Sequence, residues 1–353
     1  MSKMNIGLIG AGAISDAHMG AYAKNSQCRL LAVADLNEDR ARQKAAQYGA
    51  DRIYTDYRSL LADPDIHAVS ICVPNLYHAD AAIAALEAGK HVLLEKPLCT
   101  TLEDAYRIQA AVNRSGRILM VGYVRRYDQN AQIARQFVEN GDLGEIYYAK
   151  ASFLRRLGNP GGWFADRSKS GGGPLLDIGV HVIDLCWFLM GRPKVRSVSG
   201  NIYNKLGNRS HIKNLSYYKT SDYSADINTV EDFANALIRF ENGASLFVET
   251  SYTLHAKKDM LDVQLFGDKG GIAVDPELTI ITEKYDTILN ASPQIDRQGF
   301  QMESAFQNEI DHFVACCINN TKPLSPVEDG VELMKILTGI YESSEKGTEV
   351  QFE

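Results

Sequence analysis

Three side chains that can exchange protons occur at helical spacing in the middle of the chain. Residues 170–184, SGGGPLLDIGVHVID, begin as a glycine-rich loop and continue as an apolar-periodic run. Pro174 suits the first turn of a helix, because the N–H that proline lacks would have no intrahelical partner there. A helix that begins at Pro174 places Asp177, His181 and Asp184 on one face. Two carboxylates and an imidazole on one face predict an acid–base site.

Two other interpretations fit the same residues. A single aspartate or histidine on a half-apolar helix is usually a structural group whose hydrogen bonds are satisfied. The spacing Asp-x3-His-x2-Asp could also ligate a metal, since carboxylate and imidazole suit several divalent ions. No comparably spaced ligand cluster occurs elsewhere in the sequence, so no metal is predicted.

A glycine motif near the start of the chain favours the catalytic interpretation. Residues 4–9 form an apolar run typical of a buried strand, and GAGAIS follows at once. This is a variant of the dinucleotide fingerprint G-x-G-x-x-G. In that fingerprint the first glycine makes a tight turn, the second lets the backbone approach a pyrophosphate, and the third permits close helix–strand packing, for which Ser15 is small enough. The motif predicts cofactor contacts at Gly10, Gly12, Ala13 and Ile14.

An acid lies where a dinucleotide cofactor needs one. A helical pattern over 14–24 and a second apolar run over 29–34 follow the glycine motif, and Asp35 ends that run. A carboxylate about 20 residues beyond the motif can bind the hydroxyls of the adenosine ribose. Asp35 should repel a 2′-phosphate, and Asn37 has no positive charge to offset that, although Arg40 could. The sequence therefore predicts NAD, with NADP less favoured.

Strands and helices continue to alternate up to residue 121. Predicted strands cover 52–54, 68–73, 91–94 and 118–121, and predicted helices cover 38–48, 57–61, 78–88 and 102–113. Near-continuous apolar strands between helices predict a parallel sheet that is covered on both faces. Ligands of such sheets bind beyond the carboxyl ends of the strands. Three polar segments follow strands in this way: 74–78, 95–97 and 123–127.

The pattern changes after Val124 to alternating strands with fewer helices. Predicted strands cover 146–154, 195–203, 229–240, 244–252 and 260–267, and predicted helices cover 131–139, 304–318 and 330–344. Residues 241–243, Glu-Asn-Gly, predict a hairpin between two of these strands. The glycine-rich loop 155–173 carries Trp163, which either lines a pocket or covers the core. Residues 204–226 are polar and weakly patterned, which predicts an irregular insertion.

Composition excludes several function classes. A chain of 353 residues exceeds what one core usually serves, and we expect a first domain at 1–124 and a second at 125–353, whose last helix can pack back on the first. A net charge of −7 without a basic block argues against nucleic acid and against an anionic membrane surface. The start of the chain has no signal-peptide pattern. Six cysteines without a CxxC motif favour reduced thiols in a cytoplasmic protein.

Five segments together resemble one known family. GAGAIS, VPNLYH, EKP, GYVRRYD and GGGPLLDIGVHVID are similar to motifs of the glucose-fructose oxidoreductase and inositol dehydrogenase (Gfo/Idh/MocA) family, over essentially the whole chain. The resemblance implies an N-terminal Rossmann domain with a parallel sheet for a nicotinamide cofactor. It also implies a C-terminal α/β domain with a large, mostly antiparallel, open-faced sheet for the substrate. GYVRRYD is closest to inositol dehydrogenases, whereas the loop 155–173 does not match them well.

The resemblance also implies roles for individual residues. Lys96 of EKP resembles the active-site lysine, in a Lys96–Pro97 bond of the type often found cis, and Asp177 and His181 resemble the polar pair that works beside it. Asp184 resembles a ligand of a substrate hydroxyl. The predicted cofactor contacts at the strand ends are Pro74, Asn75, His78, Glu95 and Lys96. The predicted substrate contacts are Lys96, Arg126, Trp163, Asp177, His181 and Asp184.

These groups suffice for the oxidation of a secondary alcohol. A base must remove the hydroxyl proton while a hydride leaves carbon, and imidazole suits that task near neutral pH. We therefore expect His181 to act as acid and base, Lys96 to stabilise the developing alkoxide and relay the proton, and Asp177 to orient one or both. The alternative in which Lys96 is the base stays open at this stage.

The sequence also bears on the substrate and on the assembly of the protein. A pocket rich in arginine, tyrosine and carboxylate fits a polyhydroxylated ring, because buried polar groups demand matching hydroxyls. We expect an inositol-like cyclic polyol or a sugar, with a hexose, a sugar acid or a glycoside as alternatives. A catalytically silent nucleotide-sensing regulator on the same fold is an alternative of another class, against which the intact set of Lys96, Asp177 and His181 argues. An open-faced sheet needs cover, which predicts a homo-oligomer, a dimer or a tetramer.

Overall fold

The chain divides into two compact units. The first comprises Met1–Tyr127 and Met302–Val331, and the second comprises Asp128–Gln301 and Glu332–Glu353. The computed structural model describes residues 3–220, 223–224 and 226–352, so Ser221, Asp222 and Ala225 of the predicted insertion lie outside the described residues. The predicted boundary after residue 124 falls just before the observed division, and residues 302–331, which the prediction gave to the second domain, belong to the first unit.

Helices and strands alternate through the first unit and separate into longer runs in the second. The strands are β1 Met4–Ile9, β2 Cys28–Ala34, β3 Arg52–Tyr54, β4 Ala68–Ile71, β5 His91–Glu95, β6 Leu119–Gly122, β7 Ile146–Leu154, β8 Val195–Tyr203, β9 Phe233–Phe240, β10 Ser245–Ser251, β11 Met260–Gly267, β12 Gly270–Asp275, β13 Thr279–Lys284, β14 Thr287–Ala291 and β15 Val350–Gln351. The helices are α1 Ser15–Lys24, α2 Glu38–Tyr48, α3 Tyr57–Leu61, α4 His78–Glu87, α5 Leu102–Ser115, α6 Gln129–Glu139, α7 Arg167–Ser170, α8 Val180–Leu189, α9 Met302–Asn319 and α10 Val327–Lys346.

The sheet of the first unit is parallel throughout, as predicted. Its order is β3-β2-β1-β4-β5-β6. The central strands are buried on both faces, and Ile6 and Leu8 of β1 are 0% exposed. Side-chain caps fix the helix starts, since Asn37 accepts a hydrogen bond from the N–H of Arg40 and Thr101 accepts one from the N–H of Asp104. This is the Rossmann arrangement, and its strand ends share one edge.

Helix α9 is part of the core of the first unit. Ile310, Phe313 and Val314 pack in one cluster with Ile6 and Leu8 of the sheet. The helix also contacts α1 along its length. Helix α9 therefore packs back on the Rossmann sheet, and the last helix, α10, for which the sequence predicted this, contributes its first residues, 327–331, to the same unit.

The second unit is built on a nine-stranded sheet that is antiparallel except for one pair. Its order is β14-β13-β12-β11-β7-β10-β9-β8-β15, and β7 and β10 are the parallel neighbours. The predicted hairpin is present, because β9 and β10 pair antiparallel across Gly243, whose φ is 87°. Strands β12, β13 and β14 have no counterpart among the predicted elements. Among its described residues, the insertion 204–226 forms turns and bends but no helix or strand beyond the predicted end of β8.

The two faces of this sheet differ in character. Helix α8 packs on strands β7, β10 and β11, where Ala149 and Ala151 are 0% exposed. The opposite face carries half-buried side chains: the Tyr148 ring stacks on Phe266 with centroids 5.3 Å apart, and Lys150 Nζ lies 3.8 Å from the carboxylate of Glu249. The predicted open-faced sheet is confirmed.

Cysteine chemistry and apolar segments agree with a packed interior. All six cysteines are free thiols and buried. Residues 167–189 form the one described segment that is long and apolar enough to cross a membrane, and 89% of its most apolar window is buried inside the fold. Such burial is typical of the core helix of a globular unit.

Candidate active site

The glycine turn after β1 leaves room for a dinucleotide. Gly10 has a φ of 93°, and a Cβ there would lie 2.6 Å from the carbonyl oxygen of Cys72, so only glycine fits. A Cβ at Gly12 would meet no atom within 4 Å, which leaves space in front of the N-terminus of α1. Ser15 is buried, and its hydroxyl donates to the carbonyl of Gly12 at 2.5 Å. The turn fits a pyrophosphate, and serine satisfies the third position of the fingerprint.

Asp35 is held at the end of β2 by backbone groups. Its Oδ2 accepts a hydrogen bond from the N–H of Ala11 and its Oδ1 accepts one from the N–H of Asn37, both at 2.8 Å. Arg40 Nη1 lies 3.8 Å from the same carboxylate. The side chain is 12% exposed, and a carboxylate has lone pairs beyond these contacts. Asp35 is therefore placed and oriented to accept hydrogen bonds from ribose hydroxyls.

The loop after β4 holds the next predicted contacts. Asn75 begins a single 3-10 turn and is 5% exposed. The imidazole of His78 is buried between two carbonyl oxygens: Nδ1 lies 2.7 Å from Pro97 O, and Nε2 lies 3.0 Å from Val73 O. Burial lowers the pKa of His78. Because both ring nitrogens face backbone atoms, the side chain of His78 serves the fold rather than the predicted cofactor contact.

Lys96 is the exposed point of a buried stretch. Residues 92–99 are buried apart from Lys96, which is half-buried, and the Lys96–Pro97 bond is cis, as the resemblance implied. Glu95 is 7% exposed and turns its carboxylate inward, where His18 Nε2 lies 2.8 Å from Oε1. The predicted cofactor contact by Glu95 is not supported by this inward orientation.

The second unit presents a similar exposed point. The helical segment begins at Pro174 as expected, but Leu175–Gly179 form a wide π turn before the regular helix α8. All residues from 172 to 190 are buried apart from Asp177 and His181, which are half-buried. Wide turns of this type are frequent at functional sites. Asp177 and His181 are thus the two polar groups that this segment presents to its surroundings.

Two buried side chains fix the wide turn. Glu231, which is 3% exposed, accepts hydrogen bonds from the N–H groups of Gly173 at 2.8 Å and Leu175 at 3.2 Å. The hydroxyl of Tyr252 donates to Asp177 Oδ2 at 2.6 Å. Burial, with Asp177 beside it, raises the pKa of Tyr252 well above its usual range, so the phenol keeps its proton. Glu231 caps the turn, and Tyr252 orients the aspartate.

Other predicted substrate contacts are placed differently from the expectation. Asp184 is 1% exposed, so it does not share the half-buried position of Asp177 and His181. Arg126 has a fully buried side chain whose Nη1 donates to Asp329 at 2.6 Å and to the carbonyl of Leu324 at 2.8 Å. Arg126 Nη1 is thus held within the first unit, and a substrate contact by Arg126 stays a prediction. Trp163 is half-buried and stacks on Phe164, with ring centroids 3.9 Å apart.

The described residues show no metal cluster. No group of three or more His, Cys, Asp or Glu side chains within the described ranges is arranged to hold an ion. The hydroxyl of Tyr252 donates a hydrogen bond to Asp177, which is an orienting contact rather than a metal ligand.

The glycine turn with Asp35 and the acid–base groups of the second unit together define a class of protein. The space at Gly12 and the carboxylate of Asp35 meet the needs of a dinucleotide, and a half-buried imidazole and a half-buried carboxylate in one helical segment are the groups that an alcohol dehydrogenase needs. The class is that of nicotinamide-dependent oxidoreductases. Residues 4–123 match the model of an oxidoreductase family with an NAD-binding Rossmann fold, and residues 131–273 match that of the GFO/IDH/MocA C-terminal domain. The chain belongs to the GFO/IDH/MocA family and is an NAD-binding oxidoreductase.

Named relatives support the assignment over the full length. The chain is 31% identical to D-glucoside 3-dehydrogenase of Escherichia coli (strain K12), covering 99% of this chain and 98% of that protein. It is 28% identical to scyllo-inositol 2-dehydrogenase (NAD(+)) of Bacillus subtilis (strain 168), covering 92% and 89%. The structure of levoglucosan dehydrogenase in complex with NADH superposes with a TM-score of 0.87 at 26% identity, covering all of both chains.

Proposed function

We propose that this protein oxidises a secondary alcohol of a cyclic polyol or sugar and passes the hydride to NAD. The observation that carries the proposal is the burial pattern of the second unit. In an otherwise buried segment of 19 residues, from 172 to 190, Asp177 and His181 alone are half-exposed, and Tyr252 orients the aspartate. A fold that buries everything else there has kept an acid–base pair accessible.

The substrate class follows from the relatives. Their names specify a D-glucoside, an inositol and levoglucosan, all of them rings that carry several hydroxyls. For this chain we propose a substrate of the same class. An inositol-like cyclitol was the expectation from GYVRRYD, and a glucoside is favoured equally by the 31% identity to the glucoside dehydrogenase over 99% of the chain.

Each proposed catalytic residue has one task. When bound, NAD accepts the hydride from the carbinol carbon. His181 takes the hydroxyl proton at Nε2, because its Nδ1 is buried, and Asp177, held by Tyr252, fixes the orientation of the acid–base group. The ammonium of Lys96 stabilises the alkoxide that develops as the proton leaves. The adenosine end is held by Asp35, and the pyrophosphate is held by the turn at Gly12.

A substrate panel tests this proposal. Purified protein is incubated with NAD and a set of inositols, free hexoses, sugar acids and alkyl glucosides, and NADH is followed by its absorbance. We expect turnover with cyclitols or glucosides and its near-complete loss in the His181→Ala variant. A protein that binds NAD but turns over no member of the panel would support the silent regulator instead.

We also propose a homo-oligomer, a tetramer, that works in the cytoplasm. The half-buried face of the second sheet carries stacked aromatic rings and ion pairs such as Tyr148 with Phe266 and Lys150 with Glu249, which suit an interface between copies. The free thiols suit a reducing compartment. Light scattering at micromolar concentration should give a mass of at least two chains, and a monomer would contradict the assembly. Fractionation of cells that express the protein tests its location.

A further inference from the structure

Two buried histidines of the first unit contact the backbone on either side of Lys96. His18 lies in α1 and His78 begins α4, and they are 0% and 1% exposed. Neither imidazole has an assigned part in the chemistry. Both belong to the same compact unit as Lys96. Their contacts converge on the three residues Glu95, Lys96 and Pro97.

His18 acts on this segment through Glu95. His18 Nε2 donates to Glu95 Oε1 at 2.8 Å, and Glu95 Oε2 accepts the backbone N–H of Lys96 at 3.2 Å. On its other side, His18 Nδ1 lies 3.3 Å from Ser70 Oγ, which Tyr22 also contacts at 2.7 Å. One carboxylate thus joins helix α1 to the amide of the lysine.

The electrostatics of this pair favour a charged contact. Burial alone would lower the pKa of His18, but Cys72 and Glu95 outweigh burial and the pKa stands well above its usual range. Burial would raise the pKa of Glu95, but His18 outweighs it and the pKa lies below its usual range. The shifts have opposite signs, as expected for an imidazolium and a carboxylate that stabilise each other.

His78 acts on the next peptide. Its Nδ1 lies 2.7 Å from the carbonyl oxygen of Pro97, and its Nε2 lies 3.0 Å from that of Val73. Val73 and Pro97 belong to the loops that follow β4 and β5, which are neighbours in the sheet. Burial lowers the pKa of His78, so the neutral ring has one N–H, and the shorter contact assigns it to Nδ1, which donates to Pro97. His78 therefore links the start of α4 to the loop after β5 at the carboxyl edge, where the cofactor and Lys96 contacts are expected.

We propose that His18, through Glu95, and His78 are positioning residues that hold the backbone of residues 95–97 and so aim Lys96. The proposal rests on the proposed catalytic role of Lys96. Burial of two imidazoles and a carboxylate costs free energy that apolar side chains of similar size would not. The contacts they make, one to the N–H of Lys96 and one to the carbonyl of Pro97, fix the segment that carries the lysine. Orientation of a catalytic group to a fraction of an ångström is worth large factors in rate.

Paired substitutions test the proposal. His18→Leu and His78→Leu remove the contacts, whereas His18→Gln and His78→Asn keep a donor near the nitrogen that makes them. Lys90→Met is the matched control, because Lys90 is also buried at 7% exposure and donates to two backbone carbonyls, but at the opposite end of β5. Lys96→Met is measured in parallel, with kcat, NADH affinity and Tm for every variant.

We expect each leucine variant to lower kcat by about tenfold or more, with the dissociation constant of NADH changed by less than about threefold. The amide variants should recover most of kcat, and Lys90→Met should lose Tm but keep kcat. Leucine variants that keep kcat within about twofold, or amide variants that recover none of it, would overturn the positioning role. If Lys96→Met itself keeps full kcat, the failure lies in the proposed role of the lysine instead.

A second measurement needs no variant and covers the case in which leucine prevents folding. Long-range ¹⁵N–¹H NMR of histidine-labelled protein reports which ring nitrogen carries hydrogen. We expect hydrogen on Nε2 of His18 and on Nδ1 of His78. A hydrogen absent from either of these two atoms contradicts the contact on which the proposal depends.

Discussion

The Lys96 segment of the first unit and the Asp177–His181 segment of the second reach the same result by different means. Each exposes a polar group in a stretch that is otherwise buried. Lys96 follows the last residue of a parallel strand; its N–H donates to the carboxylate of Glu95, and the carbonyl of the next residue, Pro97, contacts the imidazole of His78. Asp177 lies in a wide helical turn that is capped by Glu231 and oriented by Tyr252.

The comparison shows that both segments depend on the same kind of buried polar support. In both segments a buried carboxylate accepts backbone N–H groups beside the reactive side chain: Glu95 accepts that of Lys96, and Glu231 accepts those of Gly173 and Leu175. Each carboxylate also links distant parts of the sequence: Glu231 is 58 residues from Gly173, and His18, which contacts Glu95, is 77 residues from it. These contacts tie each of the two segments to the core of its own unit.

The largest effect should follow the loss of the proposed base. His181→Ala should lower kcat by ~10²–10⁴-fold, because general base catalysis contributes in that range. NAD affinity should stay close to that of the wild type, since the imidazole acts in the transition state. Steady-state kinetics and a fluorescence titration with NADH measure the two quantities. A weakened NADH complex with unchanged kcat would show that His181 serves the cofactor.

A smaller loss of kcat should follow when the hydrogen bond that supports Asp177 is removed. Tyr252→Phe removes one hydrogen bond to Asp177, and such bonds to charged groups contribute about 1.5–3 kcal/mol, so kcat should fall by about tenfold or somewhat more. Tyr341→Phe is the matched control, because Tyr341 also donates to a buried carboxylate, Glu231, at 2.8 Å. We expect Tyr341→Phe to lower Tm but to change kcat little, because Glu231 keeps both of its contacts to backbone N–H groups. Equal losses of kcat in the two variants would contradict the proposal that Tyr252 acts by orienting Asp177.

The next prediction concerns the preference for NAD over NADP, which should be several-fold in kcat/KM. We expect kcat/KM to be at least several-fold higher with NAD than with NADP, because the carboxylate of Asp35 repels a 2′-phosphate. Asp35→Ser should narrow this preference, and Arg40, 3.8 Å from Asp35, is then free to attract the phosphate. Kinetics with both cofactors decide the matter, and equal or better efficiency with NADP in the wild type would contradict the assignment.

The smallest effect concerns pH and the support of the first segment. The pKa of Glu95 is lowered in the fold, so its contribution is present above the unfolded value of about 4.3 and is lost as pH falls through the folded value. The pKa of His18 is raised, so its contribution is complete below about 6.5 and is lost as pH rises through the folded value. Unfolding of the wild type and of Glu95→Gln should therefore differ most between about pH 4.3 and 6.5. A difference that grows below pH 4 would refute the ion pair.

Elements with strong periodicity could be predicted from the sequence almost to the residue. The predicted helix 38–48 and strand 146–154 coincide with α2 and β7, because a capping asparagine marks the first and alternation over most of its length marks the second. Strands β12 to β14 were missed. β12 begins with two glycines, and every residue of β14 is exposed, so neither presents the alternation that marks a half-buried strand.

The site residues also divide into those that the sequence could predict and those that it could not. Motifs locate Lys96, Asp177 and His181, because the chemistry restricts the residue types at those positions. No local signal identifies His18, Glu231 or Tyr252, whose importance lies in contacts with distant segments. Arg126 lies in a motif that suggests substrate binding, but its ion-pair partner Asp329 is 203 residues away and could not be inferred from the motif.

The most direct test of the account is a double-mutant cycle between the two segments. Lys96→Met and His181→Ala are measured singly and together for kcat, with NADH affinity determined separately for each protein. If the imidazole takes the proton and the ammonium stabilises the same alkoxide, both single variants lose ~10²–10⁴-fold and the double variant loses far less than the product. Near wild-type kcat in His181→Ala, with none in Lys96→Met, would make the lysine the base and contradict the assignment of roles.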